Sequence, residues 1–421
     1  MFFRLLRSQM LYVKPTLQAC KAISITVIML IIFLFTSEAQ AEDTISLKRN
    51  VIHNIAFEVR PGVVLPTNSF VSGENERLKP IKNSFSSHIK YSFREEPHSY
   101  IDRIFGGVYQ GVGLAYHTFD EKKYLGSPIM AYLYQGARIS QINTLLSLNY
   151  EWNFGLSSNW RPYDYDDNYY NKAIGSKVNA YMNANIYFSH TVSRTLDFIA
   201  GINFTHYSNG NTQFPNAGIN TADVKLGVVY NINRPVKVYP KPSFMHPIPL
   251  FSKHISYDVT FFSSWRRKGV YIGEHQMASP YTYPVFGFNF APMYNIGYKF
   301  RAGVSLDGFY DGSANVYVSE GYYGDDIEFI QPSFSDQVAL GFSARAEYVM
   351  PYFSINFGLG ANVLHGKGDL SAFYQLLALK IDITRNAFLH IGYSLQNFET
   401  PNFLMLGFGF RLNNKYPLLL R

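Results

Sequence analysis

A histidine and a serine two positions apart, His206 and Ser208, end a segment whose residues alternate between apolar and polar. From Thr195 to Gly210, Leu196, Phe198, Ala200, Ile202 and Phe204 share one parity, and His206 and Ser208 continue it. In an extended strand equal parity means the same face. A serine hydroxyl needs a base to act as a nucleophile near neutral pH, and an imidazole two residues away on that face is within reach. A third group usually orients the imidazole. The next alternating run, Asn220, Ala222, Val224, Leu226, Val228 and Tyr230, carries Asn220 to the same apolar side, whereas Asp223, the nearest carboxylate, falls on the opposite face. The bland alternative is that His, Tyr, Ser and Asn are simply interfacial residues at the rim of a strand. Pattern alone leaves both readings open.

The elements that must position such a pair are membrane strands. The chain holds 33 tyrosines and 35 phenylalanines in 421 residues, yet after Ala41 no apolar run approaches the length of a spanning helix. A membrane protein built without such helices must close its strands into a barrel, because only closure pairs every backbone group inside lipid. Period-two alternation, the mark of one face in lipid and one in a lumen, is clearest over Leu146–Leu156, Val178–Phe188, Phe353–Val363 and Leu404–Asn413. The expected fold is therefore all-β, a transmembrane antiparallel barrel. Counting comparable segments predicts about eight strands between His53 and Asn233 and roughly six to eight between His254 and Asn413. One barrel of about 14–16 strands is slightly favoured, and two eight-stranded barrels in tandem are the alternative.

In that count the His206 segment is the seventh strand and follows a short turn around His190–Arg194. It then runs from periplasm to exterior and brings His206 about eleven residues up, to the outer-leaflet boundary where lipid headgroups and acyl esters lie. The two halves end alike. His206-Tyr207-Ser208, Pro215-Asn216 and Leu226–Tyr230 have an echo in Gly392-Tyr393-Ser394, Pro401-Asn402 and Leu406–Phe410, which suggests a degenerate duplication.

At the N-terminus Arg4, Arg7, Lys14 and Lys21 precede an uncharged apolar run, Ala22–Phe35, and then Ala39-Gln40-Ala41. This reads as a signal peptide over 1–41, with a mature start at Glu42. The single cysteine, Cys20, precedes the apolar run, so neither a lipid anchor nor a disulfide is expected in the mature chain. The domains read as 42–233 with the His/Ser motif, a proline-rich linker over 234–249, and a second strand unit over 250–421. The net charge of +7 is spread along the chain without a basic cluster, which argues against nucleic acid. No G-x-S-x-G, P-loop or H-E-x-x-H occurs, and the eleven histidines show no metal-ligand spacing. No cofactor or metal is expected.

The stretch His206-Tyr207-Ser208-Asn209-Gly210, followed by Pro215-Asn216-Ala217-Gly218-Ile219-Asn220, resembles the active-site segment of the lipid A 3-O-deacylase (PagL) family of outer-membrane barrels. The close resemblance covers about Val51 to Asn233, and the whole chain is similar to longer acyloxyacyl-hydrolase-like members. It implies an outer-membrane serine esterase that removes an ester-linked 3-hydroxyacyl chain from lipid A of lipopolysaccharide, with His206 as base and Ser208 as nucleophile. The family's catalytic glutamate falls on Asn220, a departure: the amide can orient the ring but supplies no charge. Asn209 and Asn216 match family positions and are candidates to stabilise an oxyanion. In the second half Gly392 replaces the histidine, so that unit is expected to be silent. The rival functional class is a non-enzymatic porin or transport barrel, which polar lumen faces would equally suit.

Overall fold

The computed structural model describes residues 51–416 apart from 98, 235–247, 273–274, 320–327, 367, 371–372 and 397–399. The leader and most of the expected linker lie outside the described residues.

Eight strands follow one another in the first half: β1 (Val51–Val64), β2 (Asn83–Glu95), β3 (Tyr109–Phe119), β4 (Gly126–Gln141), β5 (Leu146–Trp160), β6 (Asn179–Thr191), β7 (Leu196–Ser208) and β8 (Ile219–Ile232). Each pairs antiparallel with the next, and β8 returns to β1, with Ala56 opposite Val229. The second half contains β9 (His254–Arg266), a ribbon of β10 (Gly269–Ile272) and β11 (His275–Ala278), then β12 (Tyr283–Asn295) and β13 (Phe300–Asp311). A second ribbon, β14 (Tyr317–Val318) and β15 (Phe329–Ile330), precedes β16 (Val338–Val349), β17 (Phe353–His365), β18 (Phe373–Asp382), β19 (Ala387–Gln396) and β20 (Thr400–Leu412). Here β20 closes on β9, with Phe408 opposite Phe261.

The architecture is therefore two closed eight-stranded barrels, and the preference for one large barrel is corrected. The reason lies in the lumens. An eight-stranded barrel is just wide enough for side chains to fill it. Glu58, Arg60, Lys90, Glu151 and Lys225 do so in the first, with Lys90 Nζ 2.9 Å from Glu58 and 2.5 Å from Glu151. Asp258, Arg301, Glu347, Lys380 and Arg411 do so in the second, with Lys380 Nζ 2.7 Å from both carboxylates. Inward charges thus have partners inside their own half, and each half closes on itself.

The alternation sorts as the sequence predicts. On β7, Phe198, Ile202 and Phe204 are exposed while Asp197, Asn203 and Thr205 are buried. Outward residues are covered where the barrels touch: Trp152 of β5 meets Phe353 edge to face at 5.3 Å, and Gln135 Nε2 donates to the Pro351 carbonyl at 2.8 Å. Tight turns such as 142–145 and 192–195 gather at one end and long connections such as 161–178 at the other. Outer-membrane barrels keep short turns in the periplasm and long loops outside, which puts the end of β7 at the outer face.

Candidate active site

The top of the first lumen is filled by a buried aromatic cluster. Tyr207 points inward, fully buried; its hydroxyl lies 2.6 Å from His117 Nδ1 and its ring packs against Trp160 at 4.9 Å. Because side chains alternate, anchoring Tyr207 inward turns His206 and Ser208 outward. The expected face is the observed one, but not its openness: Ser208 is 7 % exposed and His206 is half-buried, covered by the surrounding loops.

His206 stands directly opposite Asn220 in the β7–β8 ladder. Its Nδ1 lies 2.7 Å from Asn220 Oδ1, and Asn220 Nδ2 donates to Thr67 Oγ1 at 2.8 Å. In this arrangement Nδ1 carries the proton and Nε2 presents its lone pair, the tautomer a general base needs. Asp223 points into the lumen, hydrogen-bonded to Ser84, Asn203 and Thr221, and takes no part in this contact.

Loops from three connections hold the pair. The Asn68 amide, next to Thr67 in the β1–β2 loop, donates to Gly218 O at 2.8 Å, and its carbonyl caps the short helix α1 (Ser69–Ser72). From the β5–β6 loop, Lys172 O and Ala173 O accept from the amides of Ala217 and Gly218 at 3.2 and 2.9 Å. Lys172 itself sits over the rings of Tyr163 and Tyr169, and burial pulls its ammonium below the ordinary lysine range. Gly218 has φ +75°, and a Cβ there would stand 3.0 Å from His206 Cε1, so a side chain would be strained and would push the imidazole.

The two asparagines expected as oxyanion donors close the loop between β7 and β8. Asn209 N donates to Asn216 Oδ1 at 2.8 Å, and Asn209 Nδ2 donates to Gln213 O at 2.7 Å. The Asn209 amide is thus engaged in shaping the turn, whereas Asn216, accepting through Oδ1, keeps Nδ2 as its donor. Thr67 and Asn68 escaped the sequence reading because they lie some 150 positions away and join the site only through barrel closure.

The echo in the second barrel differs in one decisive respect. Ser394 is on β19, the seventh strand of its ring as β7 is of the first, but it is 3 % exposed and faces Leu376 across the lumen side of the ladder. Gly392 likewise points inward, toward His390. Among the described residues no group of three or more His, Cys, Asp or Glu is arranged to hold a metal ion.

Two family models match the chain: lipid A 3-O-deacylase (PagL) over residues 105–229, and the C-terminal domain of acyloxyacyl hydrolase over 255–414. The chain belongs to the PagL family. It is a protein of the outer membrane, and the family implies action on lipid A. No curated protein matches it. Solved structures that resemble it include Neisserial surface protein A, at 7 % identity and TM-score 0.28 over 44 % of this chain and 99 % of that one. The FrpB iron transporter of Neisseria meningitidis matches at 10 % and 0.22 over 86 % and 70 %. The translocator domain of the autotransporter NalP from the same organism matches at 8 % and 0.21 over 86 % of each chain.

Proposed function

We propose that this PagL-family barrel is a serine esterase that removes an ester-linked 3-hydroxyacyl chain from lipid A, using Ser208, His206 and Asn220. The observation that carries the reading is the 2.7 Å contact between His206 Nδ1 and Asn220 Oδ1 at the outer end of β7. It makes Nδ1 the protonated nitrogen and Nε2 the basic one, which in this reading takes the Ser208 proton as Oγ attacks the acyl carbonyl. The tetrahedral oxyanion would draw on Asn216 Nδ2, and the imidazolium then returns its proton to the departing sugar oxygen. Water repeats the sequence on the acyl-enzyme. In the same reading residues 1–41 are removed on export, the unit 42–233 does the chemistry, 234–249 is the linker, and 250–421 has no active site of its own.

Mass spectrometry of lipid A incubated with the purified protein tests the reaction: one hydroxyacyl chain should be lost, and none with Ser208→Ala. Unchanged lipid A would overturn the assignment. The ion-paired lumens oppose the porin alternative, and a planar bilayer carrying the protein should show no conductance steps.

A further inference from the structure

The loop joining β7 and β8 has a wall that a lone eight-stranded barrel could not supply. Phe214 N donates to Arg267 O at 3.0 Å and Arg267 N donates to Thr212 O at 3.0 Å, a two-bond pairing between this loop and the rim of the second barrel just after β9. Asn211 Nδ2 donates to Asn402 O of β20 at 2.8 Å. Gly210, at φ +65°, lies against Leu404: a Cβ there would stand 3.3 Å from Leu404 Cδ1. The Phe214 ring covers Gly269, where a Cβ would come within 2.6 Å of Cδ2.

The rim that makes these contacts is itself fixed. Arg267 Nε donates to Ser279 O at 2.7 Å and Ser279 N donates to Lys268 O at 2.7 Å, while the Ser279 hydroxyl lies 3.0 Å from Tyr283 OH at the start of β12. On the other side of the same loop, Asn209 N donates to Asn216 Oδ1, and Gly218 is placed so that a Cβ there would stand 3.0 Å from His206 Cε1. A shift of the loop at 212–214 is therefore passed to both ends of the candidate site.

We propose that the second barrel is the positioning element of the first barrel's site, acting through Arg267, Gly269, Asn402 and Leu404 on the loop 209–218. The proposal rests on the esterase reading for its kinetic readout, though not for its structural one. The silent barrel then serves as a wall against which the loop is set. Small displacements of groups that hold a catalytic constellation are costly in rate even when binding is unchanged.

The test uses the full chain in detergent. Gly269→Ala should force the Phe214 ring away and lower kcat roughly ten-fold, with KM for lipid A within about two-fold. Adding Phe214→Ala to that variant should recover most of the loss, which a merely destabilised barrel would not do. Asn211→Gly keeps the left-handed backbone (φ +62° at Asn211) and removes the bond to Asn402, so it should cost a smaller factor. Hydrogen exchange gives the independent readout: the amides of Phe214 and Arg267 should be protected in the wild type and released by Gly269→Ala. Full kcat together with retained protection in Gly269→Ala would overturn the proposal. An inert wild type would sink the esterase reading alone; protection that Gly269→Ala releases would then still support the wall, and unprotected wild-type amides would overturn it.

Discussion

The seventh strands of the two barrels are the same element put to different uses. Both run toward the outer rim, both carry a serine after a tyrosine, and both lead to a Pro-Asn pair. On β7 the tyrosine is buried in the lumen and the serine lies on the outward parity; on β19 the serine is in the lumen and Tyr393 takes the outward parity. Across the ladder, His206 faces Asn220, whereas Gly392 faces Met405. A strand's side-chain period is two, so a slip of one residue transfers a whole set of groups from one face to the other. In the proposed reading catalytic capacity is a matter of face as much as of residue type: Ser394 has a glycine and not a histidine two positions before it, and it is enclosed in the lumen.

The largest effect should come from removing the outward pair. Ser208→Ala and His206→Ala should each lower deacylation by at least roughly a thousand-fold. Both variants should keep the heat-modifiable gel mobility of a folded barrel, since neither side chain belongs to the lumen core. Ser394→Ala should leave the rate unchanged, and Gly392→His should create no second activity. If Ser394→Ala abolished turnover instead, the assignment of barrels would be reversed.

A second contrast is shared rather than opposed. Each lumen holds a carboxylate that serves several cations: Glu151 contacts Lys90 and Lys225 at 2.5 and 3.3 Å, and Glu347 contacts Lys380 at 2.7 Å and also Arg301. Removing either leaves the buried cations of that lumen to share the one remaining carboxylate, Glu58 or Asp258, and the excess buried positive charge costs about 3–5 kcal/mol. Glu151→Ala and Glu347→Ala should each lower the temperature at which gel mobility changes. An unaltered transition in one of them would mean that water, and not side chains, fills that lumen.

Much of this was legible in the sequence. Alternation placed β5, β6, β7, β17 and β20, named the inward and outward residues, and put His206, Ser208 and Asn220 on one side. It did not decide between one barrel and two, because closure depends on which distant strands pair, and the strand-by-strand pattern is the same in either case. The same blindness hid Thr67 and Asn68, which reach the site only because β1 closes on β8. It also hid the reversed parity of Ser394: the echo of Gly-Tyr-Ser reads as matching spacing, while the face is set by Leu376, Ala378 and Lys380 across the ladder. Charge counts gave no hint that Glu58, Glu151, Glu347 and Asp258 would each find cations within their own half.

The smallest expected effects concern how Asn220 holds the ring, and they separate a tuned site from a decaying one. An amide has two faces, and only Oδ1 toward His206 gives the useful tautomer; Thr67 Oγ1, accepting from Nδ2, supports that face. Asn220→Asp is nearly isosteric. It keeps an oxygen at the 2.7 Å contact, lets the Thr67 hydroxyl turn round and donate, and adds a negative charge beside the developing imidazolium. The rate of hydroxyacyl release should rise roughly ten-fold, equivalent to about 1.4 kcal/mol of barrier. Thr67→Ala in the wild type removes that support and should slow release about five-fold, on the order of the 1 kcal/mol of a single hydrogen bond. In the Asn220→Asp background the same change should cost less, since a carboxylate has no wrong face to show. The four rates form a double-mutant cycle whose coupling term measures the orienting role of Thr67 directly. If the two Thr67→Ala losses were equal, Thr67 would act on stability alone and the tautomer of His206 would be set elsewhere.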